Sequence, residues 1–492
     1  GVRLLNERIS ALSGYRTTHP FSSPTGLHGT LNLSNLRVLQ FAPAQVTAVN
    51  FLPPRSVVFG LEGMSVVLAS DFVAETDDRL IRVTGRTEGS LQGMTVAITT
   101  ELHLNPSDGS LSARVSNCSS IIASSQFTLS PEGPLGPIIK TFEAYINSVV
   151  RERIPSMLCS RLSQLLEKNS PRLFAKLTRT DFGDNIDPRS VAEHNLTQSF
   201  IGRLVHGLFI DNANVAPPAI TPDYLETQMK GEIRYDDGNP LQVPFYPRPM
   251  SVPESSDRML HIFLSEYIFN SFLFHAYQRQ KLTVEVNRVN VPQGYQHALD
   301  TSCSAKGEGL LSSICVGRLL PSISNTFPNT STSFLLIPNE MPDFQFNGES
   351  TAVGLDMRIL SYVEPGSPNL RRRQILVAEA KGQADFQLHA DKDRVFGDFH
   401  LNKLSVHLHR ASIPGIDPES VEQLSPLART FLGTQMSERL KRGMPFPLKD
   451  SVTLLNPNFR IDDGFIELAT DFVINERALR HKIYEAFATL DI

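Results

Sequence analysis

The sequence predicts an α+β protein of two similar halves, each a set of twisted antiparallel strands followed by a long amphipathic helix. Three observations predict it. Apolar residues alternate from Gly93 to Val115, helical spacing takes over from Gly136 to about Leu166 and again from about Pro418 to Arg442, and eight prolines crowd between Ala216 and Pro253. A chain of 492 residues exceeds one hydrophobic core. The divisions expected are 1–208, a proline-rich joint with its own sheet at 209–253, and 254–492.

The elements follow in order. Asn32 to Phe41 and Ser56 to Phe72 read as strands. Met94, Val96, Ile98, Leu102 and Leu104 then face one side of a strand, with Thr95, Thr99, Glu101 and His103 on the other. Asn105-Pro106-Ser107-Asp108-Gly109 is a turn, after which Leu111, Ala113 and Val115 resume the pattern. From Gly136 the spacing becomes three and four: Ile138, Phe142, Ile146, Val149, Val150 and Ile154 lead an apolar stripe that Pro155 is expected to kink. A strand over Gln228 to Tyr235 fits within the proline-dense joint. The second half opens on a helix over Ser265 to Gln278, rich in Tyr267, Phe269, Phe272 and Leu273. Strands follow at Ala352 to Tyr362, Gln374 to Glu379, Ala384 to His389 and Leu401 to Leu408. The closing helix carries Val421, Leu424, Leu427, Phe431 and Leu432, with Gly443 as its cap.

Composition excludes several classes. A net charge of −5 provides no basic field, so nucleic acid is not an expected partner. The most apolar window, Met259 to Tyr277, is broken by His261, Glu266 and His275, so no transmembrane helix is expected. Trp is absent and Phe numbers 29, so aromatic burial rests on Phe. Four cysteines fit a disulfide framework with three connectivities; Cys118 with Cys159 and Cys303 with Cys315, one pair per half, is the parsimonious choice. Closing the first loop would contribute ~4 kcal/mol in the chain-entropy model. Glycosylation sequons at Asn32, Asn117, Asn195 and Asn329 point with the cysteines to the secretory pathway. The opening Gly1 is compatible with a processed precursor or with a chain that starts further upstream.

No chemistry-bearing motif is present: no GxSxG elbow, no HExxH and no P-loop. The cysteines lack CxxC or Cys/His spacing, so no zinc site is expected. His407 and His409 share a strand face, but Val406 and Leu408 claim the buried one, which leaves the histidines in solvent. Arg371-Arg372-Arg373 reads as an exposed turn. Neither an enzyme, a metal nor a cofactor is expected. Helices laid along twisted sheets do leave elongated apolar cavities, which suit lipids.

Several stretches resemble the family of bactericidal/permeability-increasing protein, lipopolysaccharide-binding protein and cholesteryl ester transfer protein. They are Val215-Ala216-Pro217-Pro218-Ala219, Glu226-Thr227-Gln228-Met229-Lys230-Gly231-Glu232, Asp257-Arg258-Met259-Leu260, Leu264-Ser265-Glu266-Tyr267-Ile268-Phe269-Asn270 and Leu440 to Leu448. Their order spans roughly residues 27 to 472, and Cys118 and Cys159 match the family's characteristic disulfide. The resemblance implies a boomerang of two barrels joined by a central antiparallel sheet, with an apolar pocket for phospholipid acyl chains in each barrel. By position, Phe142, Ile146 and Val149 would line the first pocket, and Phe269, Phe272 and Leu273 the second. Such a stripe at helical spacing is more often core than lipid site. The family's long first helix is represented only by Val2 to Leu12. The barrel tip that carries lysines in lipopolysaccharide-binding relatives here runs Asp71 to Arg82, with Asp71, Glu75, Asp77 and Asp78 against Arg79 and Arg82. Anionic lipid is poorly served by that tip.

The expectation is a secreted, non-enzymatic lipid-binding or lipid-transfer protein, possessing apolar pockets for phospholipid or another amphipathic lipid and touching membranes or lipid particles transiently, with a role in innate defence. Its rivals are a lipopolysaccharide-binding antibacterial protein and an interaction protein whose pockets are filled by side chains. The oligomeric state is left open.

Overall fold

The computed structural model describes residues 17–22, 28–132, 143–181, 196–238, 241–250, 257–291, 293–303, 315–348, 350–364, 371–391, 394–426, 429, 444–445 and 452–475. Two compact units divide the chain: Gly1–Thr178 with Ala213–Lys230, and Arg179–Asn212 with Gly231–Asp491. The joint read at 209–253 is thus shared, its 213–230 stretch belonging to the first unit and the rest to the second. Val2 to Leu12 lies outside the described residues.

The first unit is built mainly on one long antiparallel sheet and a helix. Strands β1 (Thr17–Ser22), β2 (His28–Ala42), β4 (Ser56–Thr76), β5 (Arg82–Leu104) and β6 (Leu111–Pro131) pair in that order, and β3 (Val46–Leu52) pairs with the first part of β4. Alternation runs through both long strands. Ser70, Phe72, Ala74 and Thr76 are buried on β4, as are Val83, Gly85, Thr87, Gly89 and Leu91 on β5, while Arg82, Thr84, Arg86 and Glu88 face water. Gly89 has a packing reason. A Cβ there would come within 2.1 Å of the ring of Phe127, its cross-strand partner, so the ring covers bare backbone.

Helix α1 (Glu143–Ala175) runs along β6 and is continuous through Pro155 and Pro171. Its side chains serve the outer edge of that strand. Glu143 Oε1 accepts from Leu129 N at 2.9 Å, and Asn147 both accepts from Phe127 N at 2.8 Å and donates to Phe127 O at 3.2 Å. Glu167 accepts from Val115 N, and Ser170 Oγ pairs with both N and O of Ala113. The Cys118–Cys159 disulfide, with Cα atoms 5.6 Å apart, fastens the same strand to the same helix. An open edge that would template further strands is covered by a helix carrying polar mimics of a strand. Beneath it, Val150 and Ile154 pack on Leu91, Met94 and Ile122.

Further along, β7 (Arg179–Asp181), α2 (Leu196–Val205), β8 (Leu208–Asp211), β9 (Ala219–Ile220), β10 (Leu225–Glu226) and β11 (Glu232–Tyr235) follow. The two-stranded β10-β9 ribbon belongs to the first unit, and the β11-β8-β7 sheet to the second. The second unit continues with β12 (Leu260–Ser265), α3 (Tyr267–Gln278) and β13 (Val284–Val286), then a 3-10 turn at Gln293–Leu299 and the short helices α4 (Val316–Leu319) and α5 (Pro321–Thr326). After them come β14 (Thr332–Pro338), β15 (Asp343–Asn347), β16 (Ser350–Val363), β17 (Arg373–Asp391), β18 (Arg394–Ala411), α6 (Pro418–Glu422), β19 (Met444–Pro445), β20 (Val452–Asp462) and β21 (Phe465–Ile474).

The main sheet here is antiparallel in the order β13-β14-β16-β17-β18-β19, with β15 on β16; β12-β21-β20 form another. The two strands expected at Gln374 to Glu379 and Ala384 to His389 are one strand, β17. Lys381-Gly382-Gln383 resembles a turn, yet its backbone stays in the ladder and the pairing shifts at irregularities beside Val377 and Gln383. Of the closing helix expected to Arg442, α6 is capped by Asp417, whose side chain accepts from Ser420 N, and 427–428 and 430–443 lie outside the described residues. The core gathers Val316, Ile323, Ile375, Leu376, Val406 and Val421 under the sheet. Cys303 and Cys315 are joined, their Cα atoms 5.8 Å apart.

Candidate functional site

Within the second unit lies a cavity of about 500 Å³. One wall is the inner row of β16, Val353, Leu355, Met357, Ile359 and Ser361, which alternation turns to a single face. β17 and β18 add Ala384, Phe386, Phe399 and Leu401. The opposite side is helical, with Phe200 and Leu204 from α2 and Phe272 and Leu273 from α3. Of the thirty described residues that line it, Tyr295, Asp356 and Ser361 carry the polar side chains. The volume is that of a small-molecule site, and the lining is more apolar than most.

The helical wall is pinned from behind. Tyr235 on β11 donates its hydroxyl to Leu204 O at 2.6 Å, and burial pushes that hydroxyl's pKa well up. Lys281 Nζ donates to Arg203 O and His206 O, both at 3.2 Å, so a cation satisfies carbonyls at the end of α2. Burial, followed by the nearby Arg279, lowers the pKa of Lys281. On α3, His275 meets Glu232 at 2.9 Å, with both side chains buried. Asp356 is held by Asn339 Nδ2 at 2.8 Å and Lys381 Nζ at 3.1 Å, and these partners, Asn339 first, keep its carboxyl below the usual range.

The residues expected at the pockets separate. Phe272 and Leu273 are on the cavity wall. Phe269, one turn earlier on α3, lies instead in an aromatic cluster, stacked on Phe344 at 4.5 Å and edge-on to Phe346 at 5.8 Å. A turn displaces a side chain by about 5.4 Å along the axis, which carries Phe269 to β15. In the first unit, Phe142 lies outside the described residues, as do the side chains of Ile146 and Val149 on α1. Sequence reasoning missed α2 and the strand walls. The alternation at Ala352 to Tyr362 was visible, but which face meets empty space was not.

Other candidates behave as surface. His407 and His409 are exposed while Val406 is buried. Arg372 pairs with Glu285 at 2.7 Å and lies 4.5 Å over the ring of Tyr362. At the β4–β5 turn, Asp78 accepts from the Thr76 hydroxyl and from Leu80 N, which lower its pKa and keep it anionic, while Leu80 is 82% exposed. Among the described residues no group of three or more His, Cys, Asp or Glu side chains is arranged to hold a metal, and no helix is long and apolar enough to cross a membrane.

Two family models match this architecture: the LBP / BPI / CETP family N-terminal domain over residues 5–168 and its C-terminal domain over 204–474. The chain belongs to the LBP / BPI / CETP family. The cavity falls within the C-terminal match apart from Phe200, and the sheet with α1 within the N-terminal one up to Lys168. Bactericidal permeability-increasing protein of Rattus norvegicus is 22% identical over 395 residues, 80% of this chain and 74% of that one. Lipopolysaccharide-binding protein of Bos taurus is 22% identical over 444 residues, covering 90% and 82%. A crystal structure of lipopolysaccharide binding protein aligns over 96% of this chain and 97% of its own, with 18% identity and a TM-score of 0.46.

Proposed function

We propose that the protein is a secreted, non-enzymatic lipid carrier that takes phospholipid or another amphipathic lipid into an apolar cavity of its second unit and serves innate defence. The cavity carries the reading: about 500 Å³ walled by aliphatic and aromatic side chains suits partition of hydrocarbon. Each methylene moved from water contributes about 0.8 kcal/mol, with no covalent chemistry required. Membership of the LBP / BPI / CETP family and relatives named for bacterial permeability and lipopolysaccharide support the lipid class and the defensive role. Two disulfides fit an oxidising, extracellular setting. Phe142, Ile146 and Val149 are proposed to line a counterpart in the first unit.

Lipopolysaccharide is the first ligand to compare, because relatives bear its name. The β4–β5 turn supplies Asp77 and Asp78 with Arg79, a poor anchor for an anionic surface. The test is to express the chain through a secretory pathway, purify it, and analyse a solvent extract by lipid mass spectrometry. One or two lipids per chain are expected. An empty extract from folded protein that also takes up no added phospholipid would overturn the reading in favour of an interaction protein.

A further inference from the structure

Among the described residues that line the cavity, one polar group is left unanswered by its own walls. Ser361 is 0% exposed, lines the cavity, and its Oγ has no hydrogen-bond partner. Of the buried hydroxyls around it, Thr332 Oγ1 donates to Leu299 O at 2.9 Å and Ser271 Oγ donates to Ile268 O at 2.9 Å; Thr351 and Ser425 are also without a partner, but neither lines the cavity. The other polar residues of the wall are engaged as well, Asp356 by Asn339 and Lys381, and Tyr295 by a partner of its own. An unpaired buried hydroxyl is costly, and native proteins keep few of them.

Position gives the group a role. Along the inner row of β16, Val353, Leu355, Met357 and Ile359 present hydrocarbon, and Ser361 ends the row about 26 Å from Val353 at the usual rise of a strand. Its cross-strand neighbours are Phe334 and Leu376, and Leu376 and Val316 are each 1% exposed, so a ligand atom that reaches Ser361 is out of water. An acyl chain ending in a methyl group would fill the row and leave Ser361 unpaired.

We propose that this cavity selects a lipid bearing a hydroxyl or carbonyl oxygen on its buried end, which exchanges a hydrogen bond with Ser361 Oγ. The inference rests on the lipid-carrier reading of the same cavity. Two sources offer that chemistry: an acyl chain oxygenated at its far end, or a sterol entering hydroxyl first.

The test uses the full chain, delipidated, with four ligands in competition against a fluorescent fatty acid. Hexadecanoic acid is compared with 16-hydroxyhexadecanoic acid, and 5α-cholestane with 5α-cholestan-3β-ol. The wild type is expected to bind the hydroxylated member of one pair about tenfold more tightly, the scale of one well-made hydrogen bond; which pair discriminates names the source. Ser361→Ala is expected to abolish that preference, and Ser361→Cys to weaken it. If both plain ligands bind as well as their hydroxylated partners, or Ser361→Ala keeps the preference, the proposal is overturned and the carrier reading stands. If none of the four binds, both fall together. The wild-type comparison decides even if a variant fails to fold.

Discussion

Phe272 and Phe346 are both apolar anchors of the second unit, but they differ in what surrounds them. Phe346 is 0% exposed and packed between Phe269 and Phe344, so Phe346→Ala is expected to cost about 3–5 kcal/mol in denaturant unfolding without emptying the cavity. Phe272 faces the void on one side and already lacks partner atoms there. Phe272→Ala, alone or with Leu273→Ala, is therefore expected to cost less stability and more lipid, read as lipid retained per folded chain. If Phe272→Ala kept all its lipid and lost as much stability as Phe346→Ala, Phe272 would be core. Asp356 gives a pH prediction. Its carboxyl titrates below the usual value when folded, so its stabilisation is present above the unfolded pKa of about 4 and is lost as pH falls through the lowered value. Asp356→Asn is expected to flatten the decline of Tm below about pH 4 relative to wild type.

At the scale of elements, α1 is decided by more than its apolar stripe. Val150 and Ile154 fit the helical period that the sequence displays, but Glu143, Asn147, Glu167 and Ser170 are polar residues whose task appears only beside β6. In sequence they resemble a solvated face; in the fold they satisfy the backbone of an edge strand. Asn147→Ala is expected to destabilise by about 1–3 kcal/mol, because Phe127 loses partners for both N–H and C=O. Amide exchange at Phe127 should quicken selectively, and unchanged exchange would refute the edge-capping role. Breaking the Cys118–Cys159 link by paired alanines is expected to cost about 2–4 kcal/mol and to loosen the same edge. β17 illustrates the opposite error. Strands expected at Gln374 to Glu379 and Ala384 to His389 are one, because the ladder on both sides carries the strand through Lys381-Gly382-Gln383.

For the whole molecule, a carrier with a filled cavity should be more stable than the same chain emptied. Delipidation is expected to lower Tm, and added lipid to restore it in proportion to the logarithm of its concentration; a Tm indifferent to lipid would favour side-chain-filled pockets. Binding to lipid vesicles should depend weakly on salt, since Asp77 and Asp78 precede Arg79 at the β4–β5 turn. A steep fall between low and physiological salt would point to a basic surface elsewhere.

By itself the sequence determined the α+β class, the alternating strands, the helical stripes, the even cysteines and a resemblance that family models share. These are local or countable properties, carried by periodicity and order. Only the tertiary structure decided that Phe272 and Leu273 border a cavity while Phe269 joins Phe344 and Phe346, and that 213–230 pack with the first unit. It alone left Ser361 without a partner. Period tells which residues share a face. Whether that face meets atoms or a void depends on residues brought from elsewhere in the chain, and hydrophobicity reads the same in both cases.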